Sequence, residues 1–138
     1  VPLSFKSSTI SYDQQQELEM TRLINAERAK NGVKPLEYTA SLADVARNHS
    51  IDMLKRRYFA HINLDGETPF DRLHQANIGY IIAGENLAVS SSLEDAVAAL
   101  MQSPTHKANI LNDKFHKTGI GIATNQDGIM AISQEFTD

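Results

Sequence analysis

Apolar positions repeat with helical spacing through the first half of the chain. Residues 13–31 carry a short stripe of Met20, Leu23 and Ile24, and Gly32 follows as a natural stop. Residues 41–57 carry a longer stripe at spacings of three, four, seven and eleven residues. Its members are Leu42, Val45, Ala46, His49 and Met53. The spacing predicts two amphipathic helices with these side chains facing a core.

Two polar residues fall on these apolar stripes. Glu27 lies on the first, where a partly buried carboxylate paired with an arginine, or capping a neighbouring helix, is the plainer interpretation. His49 lies on the second, where a hydrogen-bonded core histidine is expected more often than a metal ligand.

Helix starts recur in the second half of the chain. Thr68-Pro69 and Ser103-Pro104 each place a capping residue before a proline, which favours the first turn of a helix. The first of these helices should reach about Asn77. Ser91 or Ser92 should cap another helix with an apolar face made of Leu93, Ala96, Val97, Leu100 and Met101. Between them, residues 80–83 are expected to form a strand entering a Gly84-Glu85-Asn86 turn.

The last quarter of the chain is typical of a β-hairpin. Residues 119–123 and 129–133 alternate as strands, and Asp127-Gly128 supplies the turn between them. Helices first and a hairpin last predict an α+β domain with helices packed on a small antiparallel sheet. Residues 1–11 are polar and without period, so they are expected to be a linker or arm before a domain spanning 12–138.

Composition removes several classes of function. The 138 residues include no cysteine, which excludes disulfides, thiolate catalysis and cysteine-based zinc sites. A formal charge of -4 argues against a nucleic-acid partner. No apolar run approaches the roughly 20 residues of a transmembrane segment. The start at Val1 rather than Met fits removal of a leader.

The sequence contains one candidate for metal binding or acid–base catalysis, a carboxylate between two segments that each carry a histidine. Glu85 lies between Phe59-Ala60-His61 and the Ser103-Pro104-Thr105-His106 segment. Two imidazoles and a carboxylate can hold Zn²⁺ or another divalent cation, or can run acid–base chemistry. Each residue also has a structural interpretation: a surface histidine for His61 or His106, and a carboxylate bonded to backbone amides for Glu85.

Several ordered motifs resemble the CAP superfamily, which comprises cysteine-rich secretory proteins, antigen 5 and pathogenesis-related 1 proteins. The motifs are Phe59-Ala60-His61, Gly84-Glu85-Asn86-Leu87-Ala88 and the Gly119-Ile120-Gly121-Ile122 hairpin. Residues 23–28 and 103–111 resemble its bacterial, SCP-like extracellular branch. The resemblance covers about 15–138 and implies an α-β-α sandwich, with helices on both faces of a small antiparallel sheet. It also implies an extracellular or cell-wall location.

The resemblance further implies a cleft, which in the eukaryotic members holds two histidines and two glutamates. His61 and Glu85 match the first histidine and the first glutamate, whereas the second pair transfers poorly. Gln102-Ser103 stands where a second glutamate is expected. His106 is expected to fill the cleft from the neighbouring helix, with Asn109 orienting it or a ligand. Gln134 is preferred over Glu135 as the cleft-facing residue of the last strand.

Three functions follow from this arrangement. The first is a binding module for a small molecule, peptide, lipid or cell-wall ligand, metal-assisted or not. The second is a metal-assisted hydrolase, peptidase-like, in which Glu85 is the general base and His61 and His106 hold the ion. The third is a structural or interaction role at the cell surface. A serine hydrolase has less support, because Ser103 lacks a nucleophile-elbow motif and is better explained as a helix cap.

Overall fold

The computed structural model describes residues 9–138 as a three-layer α-β-α sandwich. In chain order the elements are β1 Ile10–Ser11, α1 Gln14–Lys30, β2 Glu37–Tyr38, α2 Ala40–Arg56, α3 Pro69–Gln75, β3 Ala83–Ser90, α4 Leu93–Gln102, α5 Pro104–Ile110, β4 Lys117–Asn125 and β5 Met130–Thr137. Of the predicted arm, residues 1–8 lie outside the described residues. Ile10–Ser11 form β1 and pair with β4 in the sheet.

The sheet has the order β1-β4-β5-β3, with antiparallel neighbours throughout. The short β2 adds a two-residue parallel pairing with β4, at Glu37 and Tyr38, to this sheet. The predicted α-β-α sandwich with a small antiparallel sheet is confirmed. The predicted hairpin is confirmed: Gly128 takes the left-handed φ of +80° that its turn requires. The order leaves β3 at one edge of the sheet, beside the segment that carries His61.

One face of the sheet is covered by α2. A Cβ atom added to Gly119 would lie 2.0 Å from the backbone nitrogen of Ala43 in this helix. A Cβ atom added to Gly121 would lie 2.0 Å from the backbone nitrogen of Arg47. A bare backbone on β4 therefore lets α2 approach the sheet closely. The α2 stripe predicted from spacing is buried throughout, including His49. Helix α3 packs beside α2 through Leu73, which contacts Leu42 and Val45.

The opposite face carries the main apolar core. Side chains alternate along β4 and β5, so Ile120, Ile122 and Ile132 point away from α2. They pack with Met20 and Ile24 of α1 and with α4, α5 and Phe115. In the part of the chain that the structure describes, no helix is long and apolar enough to cross a membrane.

Local signals fixed most helix ends. Thr68 forms the expected capping box with Asp71, and Ser92 caps α4. Glu27 pairs with Lys30 at 3.0 Å, a lysine where the sequence suggested an arginine. The expected turn at Gly84-Glu85-Asn86 is wrong, because these residues lie inside β3, and residues 80–82 precede the strand. A strand turns successive side chains to opposite faces, which decides the composition of the site below.

Candidate functional site

Edge strand β3 carries the first group of the site. Glu85 lies directly opposite Glu135 on β5, and Glu135 lies opposite Gly119 on β4. Directly opposed residues project from the same face of a sheet. The Glu85 and Glu135 side chains therefore share the face that Gly119 presents to α2.

Both oxygens of the Glu85 carboxylate accept hydrogen bonds from residues outside the sheet. Oε1 lies 2.8 Å from His61 Nδ1, and Oε2 accepts from Arg72 Nη2 at 2.9 Å. The Glu85 side chain is 1% exposed, whereas that of His61 is 50% exposed. A buried carboxylate thus anchors an imidazole at the protein surface.

Arg72 of α3 positions the histidine segment as well as the carboxylate. Its Nη1 donates to the backbone carbonyl of His61 at 2.8 Å and to that of Glu67 at 3.2 Å. The capping box of Thr68 and the proline start α3 so that Arg72 lies on its inner side. One guanidinium group therefore ties Glu85, His61 and the 61–67 loop together.

The tautomer of His61 follows from the charge of Glu85. Burial alone would raise the pKa of the Glu85 carboxyl, but its bonds with Glu135 and His61 and the Arg72 charge outweigh burial and hold that pKa below its usual range. An ionised carboxylate only accepts, so Nδ1 of His61 must donate. In the neutral imidazole, Nε2 is then an unprotonated acceptor on the other side of the ring.

Glu135 is the opposite case to Glu85. Its side chain is fully buried, and no donor from residues 9–138 reaches either oxygen. Burial raises the pKa of Glu135 well above its usual range, and the adjacent Glu85 carboxylate raises it further. Glu135 is therefore a neutral acid whose own proton is shared with Glu85. This pair holds one proton and one negative charge, which Arg72 balances.

We expect Glu135→Gln to flatten the fall in stability with rising pH. Folded Glu135 keeps a proton that an unfolded glutamate loses above about pH 4.3, so the folded state loses stability as pH rises from there towards the raised folded pKa. Glutamine keeps a donor towards Glu85 and has no proton to lose. Urea unfolding from pH 4 to 8 measures the slope. Glu37→Gln, at an exposed carboxylate, serves as the control, and equal slopes for wild type and Glu135→Gln would contradict a protonated Glu135.

His49 closes the site from α2. Its Nε2 donates to the Ala60 carbonyl, at 2.8 Å, just before His61, which confirms the expectation of a hydrogen-bonded core histidine. Burial lowers the pKa of His49, so the ring is neutral and its Nδ1 is an acceptor. Within residues 9–138, no donor pairs with that Nδ1, and no acceptor pairs with the buried Nε–H of Arg72. His49 thus holds the backbone of the His61 segment.

The structure brings His61 and Glu85 together but not His106. Asn86, one residue beyond Glu85, points to the other face, where its Nδ2 donates to the His106 carbonyl. His106 Nδ1 lies 2.8 Å from Ser103 Oγ, and its ring makes no hydrogen bond or ion pair with Glu85 or His61. Ser103 precedes α5 as predicted, but its hydroxyl makes no capping bond. The Ser103–His106 pair is separate from the His61 site.

Two further expected ligand residues have structural partners. Asn109 donates to Asn86 Oδ1 at 2.8 Å and so braces β3 rather than orienting His106. Gln134 is buried on the core face and donates to Thr118 Oγ1 at 3.1 Å. The preference for Gln134 over Glu135 is wrong, because Ile132, which shares the side of Gln134, faces the apolar core and not the cleft.

The expected metal set of His61, His106 and Glu85 does not fit a cation. Both Glu85 oxygens already accept hydrogen bonds, and one of the donors is a guanidinium group at 2.9 Å. Residues 9–138 contain no group of three or more histidine, cysteine, aspartate or glutamate side chains placed to hold a metal ion. A cation there would face the positive charge of Arg72 with only one imidazole to bind it.

Arg72 is not among the residues predicted for the site, and the prediction favoured Gln134 over Glu135. Arg72 stands four residues after Thr68, in a helix whose start the Thr68-Pro69 pair predicts, and this position is the sequence signal that points to it. The position of Glu135 in the site depends on how β3 and β5 pair. Only that register shows that Glu135, and not Gln134, lies opposite Glu85. Neither residue lies in a local motif with the histidine.

A three-layer sandwich with a buried glutamate presenting a histidine at an edge strand defines the class of domain. The chain belongs to the cysteine-rich secretory protein family, CAP, whose model matches residues 21–136. It is 39% identical over 119 residues to protein YkwD of Bacillus subtilis, covering 86% of this chain and 45% of that protein. The chain thus spans less than half of the length of this relative.

Solved structures from two bacteria share the fold. An extracellular protein with an SCP domain from Bacillus anthracis superposes with a TM-score of 0.84 at 29% identity, covering 91% of this chain and 41% of that one. An outer surface protein of Borrelia burgdorferi gives 0.86 at 26% identity, covering 94% and 98%. These neighbours are described as extracellular or outer surface proteins, and the bacterial resemblance seen in the sequence is confirmed.

Proposed function

We propose that this CAP domain is an extracellular recognition module that binds its ligand non-covalently beside strand β3, with His61 as the contacting group. The observation that carries the proposal is the contrast in exposure: a 1% exposed carboxylate holds a 50% exposed imidazole at 2.8 Å. A fixed, half-exposed polar ring with a free Nε2 acceptor is well suited to bind a ligand donor. The location is proposed by analogy with the bacterial neighbours.

The geometry supports binding better than hydrolysis with Glu85 as general base. A general base must reach the proton it removes, and Glu85 has both oxygens occupied and almost no exposure. The hydroxyl that lies next to a histidine, Ser103 Oγ, contacts His106 and not His61. The arrangement therefore holds one ring still and offers no activated nucleophile beside it.

The test is a binding screen on ¹⁵N-labelled protein with short peptides, muropeptides and short-chain phospholipids as probes. We expect a binding probe to shift the His61 signals, and His61→Ala to weaken its binding by up to about tenfold, the effect of losing one hydrogen bond. His106→Ala is the matched control and should leave binding unchanged, since His106 makes no contact with the pair.

Mass spectrometry of the bound probe separates the competing functions. Recognition predicts that the probe is recovered intact after long incubation. A probe cleaved by wild type and left intact by Glu85→Gln would instead support the hydrolase. Binding that is equal in wild type and His61→Ala would overturn His61 as the contacting group.

A further inference from the structure

A cavity of about 410 Å³ lies beside the His61 site, between α2 and residues 63–76. Arg72 lines it, and so does His49, whereas Glu85 and His61 do not. Its size falls within the range typical of small-ligand pockets, roughly 300–1,000 Å³. Arg72 is therefore shared: one side of its guanidinium faces the Glu85 carboxylate, and its side chain forms part of the wall of the cavity.

The positive charges in the cavity wall are already paired. Arg56 binds both Asp65 oxygens, at 2.7 and 3.2 Å, and also contacts Asp52 at 3.4 Å. Arg72 directs Nη2 to Glu85 and Nη1 to two backbone carbonyls. An anionic ligand would face three carboxylates in this wall, and both of its arginines already have carboxylate partners.

One carboxylate in the wall has no cationic partner. Glu67 accepts from Asn63 Nδ2 at 2.8 Å and, through its other oxygen, from the Gln75 side chain, and both of these groups are neutral amides. Within residues 9–138, Glu67 forms no ion pair; Arg72 binds its backbone carbonyl instead. These amide bonds lower the pKa of Glu67, so its charge is present at neutral pH. The wall therefore carries three carboxylates, Asp52, Asp65 and Glu67, against the two arginines, and Glu67 is the carboxylate without an ion pair to any of the described residues.

Two side chains of the wall are apolar, and they lie among polar residues of the same helices such as Asn48 and Gln75. Val45 of α2 and Ala76, at the end of α3, offer side chains without polar atoms. A ligand that suits both parts has an aliphatic stem ending in a compact, positively charged donor. Lysine side chains have this form, because four methylene groups carry an ammonium with three hydrogen-bond donors.

We propose that the cavity binds a lysine side chain of a peptide ligand, with the ammonium on the Glu67 carboxylate and the stem along Val45 and Ala76. The inference rests on the proposed function and names the class of its ligand. His61 and Glu67 flank the same guanidinium, since Arg72 Nη1 donates to the backbone carbonyls of both. A peptide with its lysine in the cavity therefore lies beside the 61–67 loop that carries His61.

The experiment uses Nα-acetyl-lysine N-methylamide as the probe, titrated into ¹⁵N-labelled protein to about 50 mM, enough to detect a millimolar site. The comparison probe carries a second acetyl group on the side-chain nitrogen, which keeps the stem and removes the charge. Glu67→Gln removes the carboxylate charge and keeps the contact with Asn63. Glu94→Gln, at an exposed carboxylate of α4, is the matched control.

We expect the lysine probe to shift the signals of Glu67, Gln75 and Ala76, and Glu67→Gln to weaken its binding about tenfold, the effect of losing a charge-assisted bond. Glu94→Gln should not change the affinity. Equal binding of the two probes would overturn the ammonium contact, as would unchanged binding by Glu67→Gln. No shift in the cavity at the highest concentration would overturn the site.

The two proposals fail separately. His61→Ala tests the recognition site and leaves the cavity wall intact, so the single-lysine probe should bind this variant as it binds wild type. Loss of peptide binding in His61→Ala together with unchanged lysine-probe shifts supports both proposals. Retained peptide binding in His61→Ala, together with loss in Glu67→Gln, would overturn the role of His61 while supporting the cavity.

Discussion

Gly121→Ala is expected to prevent stable folding or to cost at least about 4 kcal/mol of the free energy of unfolding. A Cβ at this position would lie 2.0 Å from the backbone nitrogen of Arg47 and 2.2 Å from its Cα. Both atoms belong to the backbone of α2, so no side-chain rotation relieves the clash. The helix would have to move away from β4, and the face that holds Glu85 and Glu135 would open.

Circular dichroism and urea unfolding measure this effect against Gly79→Ala as the matched control. No atom lies within 4 Å of the Cβ direction of Gly79, so that variant should stay within about 0.5 kcal/mol of wild type. If Gly121→Ala unfolded at the same urea concentration as Gly79→Ala, the close approach of α2 to the sheet would be disproved.

Removing Glu17 is expected to be the second most damaging change. Glu17 is fully buried in α1, and its carboxylate binds Arg47 Nε at 2.9 Å and Nη2 at 2.5 Å. It also accepts the backbone N–H of Ile122 at 3.1 Å. One carboxylate thus connects α1, α2 and β4. Breaking a buried pair by removing one partner costs about 3–5 kcal/mol, so Glu17→Ala should lose that amount.

Two comparisons test this buried ion pair by urea unfolding. Glu19→Gln removes a carboxylate from the same helix that also pairs with an arginine, Arg22, but at the surface, so it should cost less than about 1 kcal/mol. The double variant Glu17→Met/Arg47→Met should be more stable than Glu17→Ala, since no unpaired charge is left buried. A loss for Glu17→Ala no larger than that for Glu19→Gln would contradict a buried structural pair.

The spacing of apolar residues predicted α1 and α2 because each helix buries one face, and a buried face leaves this spacing in the sequence. The α2 stripe from Leu42 to Met53 is buried, and the predicted ends of α1 and α2 agree with the structure within about one residue. Periodicity could not show Glu17, because a charged residue near a helix start is typical of solvent exposure. Its burial depends on Arg47, thirty residues away, which the fold alone brings into contact.

The site was only partly predictable for a related reason. His61 and Glu85 were paired through family resemblance, and the structure confirms the contact. The prediction that His106 joins this site was wrong. Successive residues of β3 face opposite sides of the sheet, and it is Asn86, not Glu85, that contacts His106 of α5. The sequence predicts a turn at residues 84–86, and a turn does not place successive side chains on opposite faces as a strand does. The face of the sheet on which each side chain lies therefore follows from the pairing of β3 with β5, which the local sequence does not show.

The central claim is that Glu85 holds His61 with Nε2 free for a ligand, and the ring nitrogens of His61 test it most directly. Two-dimensional ¹H–¹⁵N NMR of the imidazole, at a pH where it is neutral, should show the proton on Nδ1 in wild type. A ligand found in the binding screen should then shift Nε2. A proton on Nε2 in wild type, unchanged by Glu85→Gln, would contradict the claim.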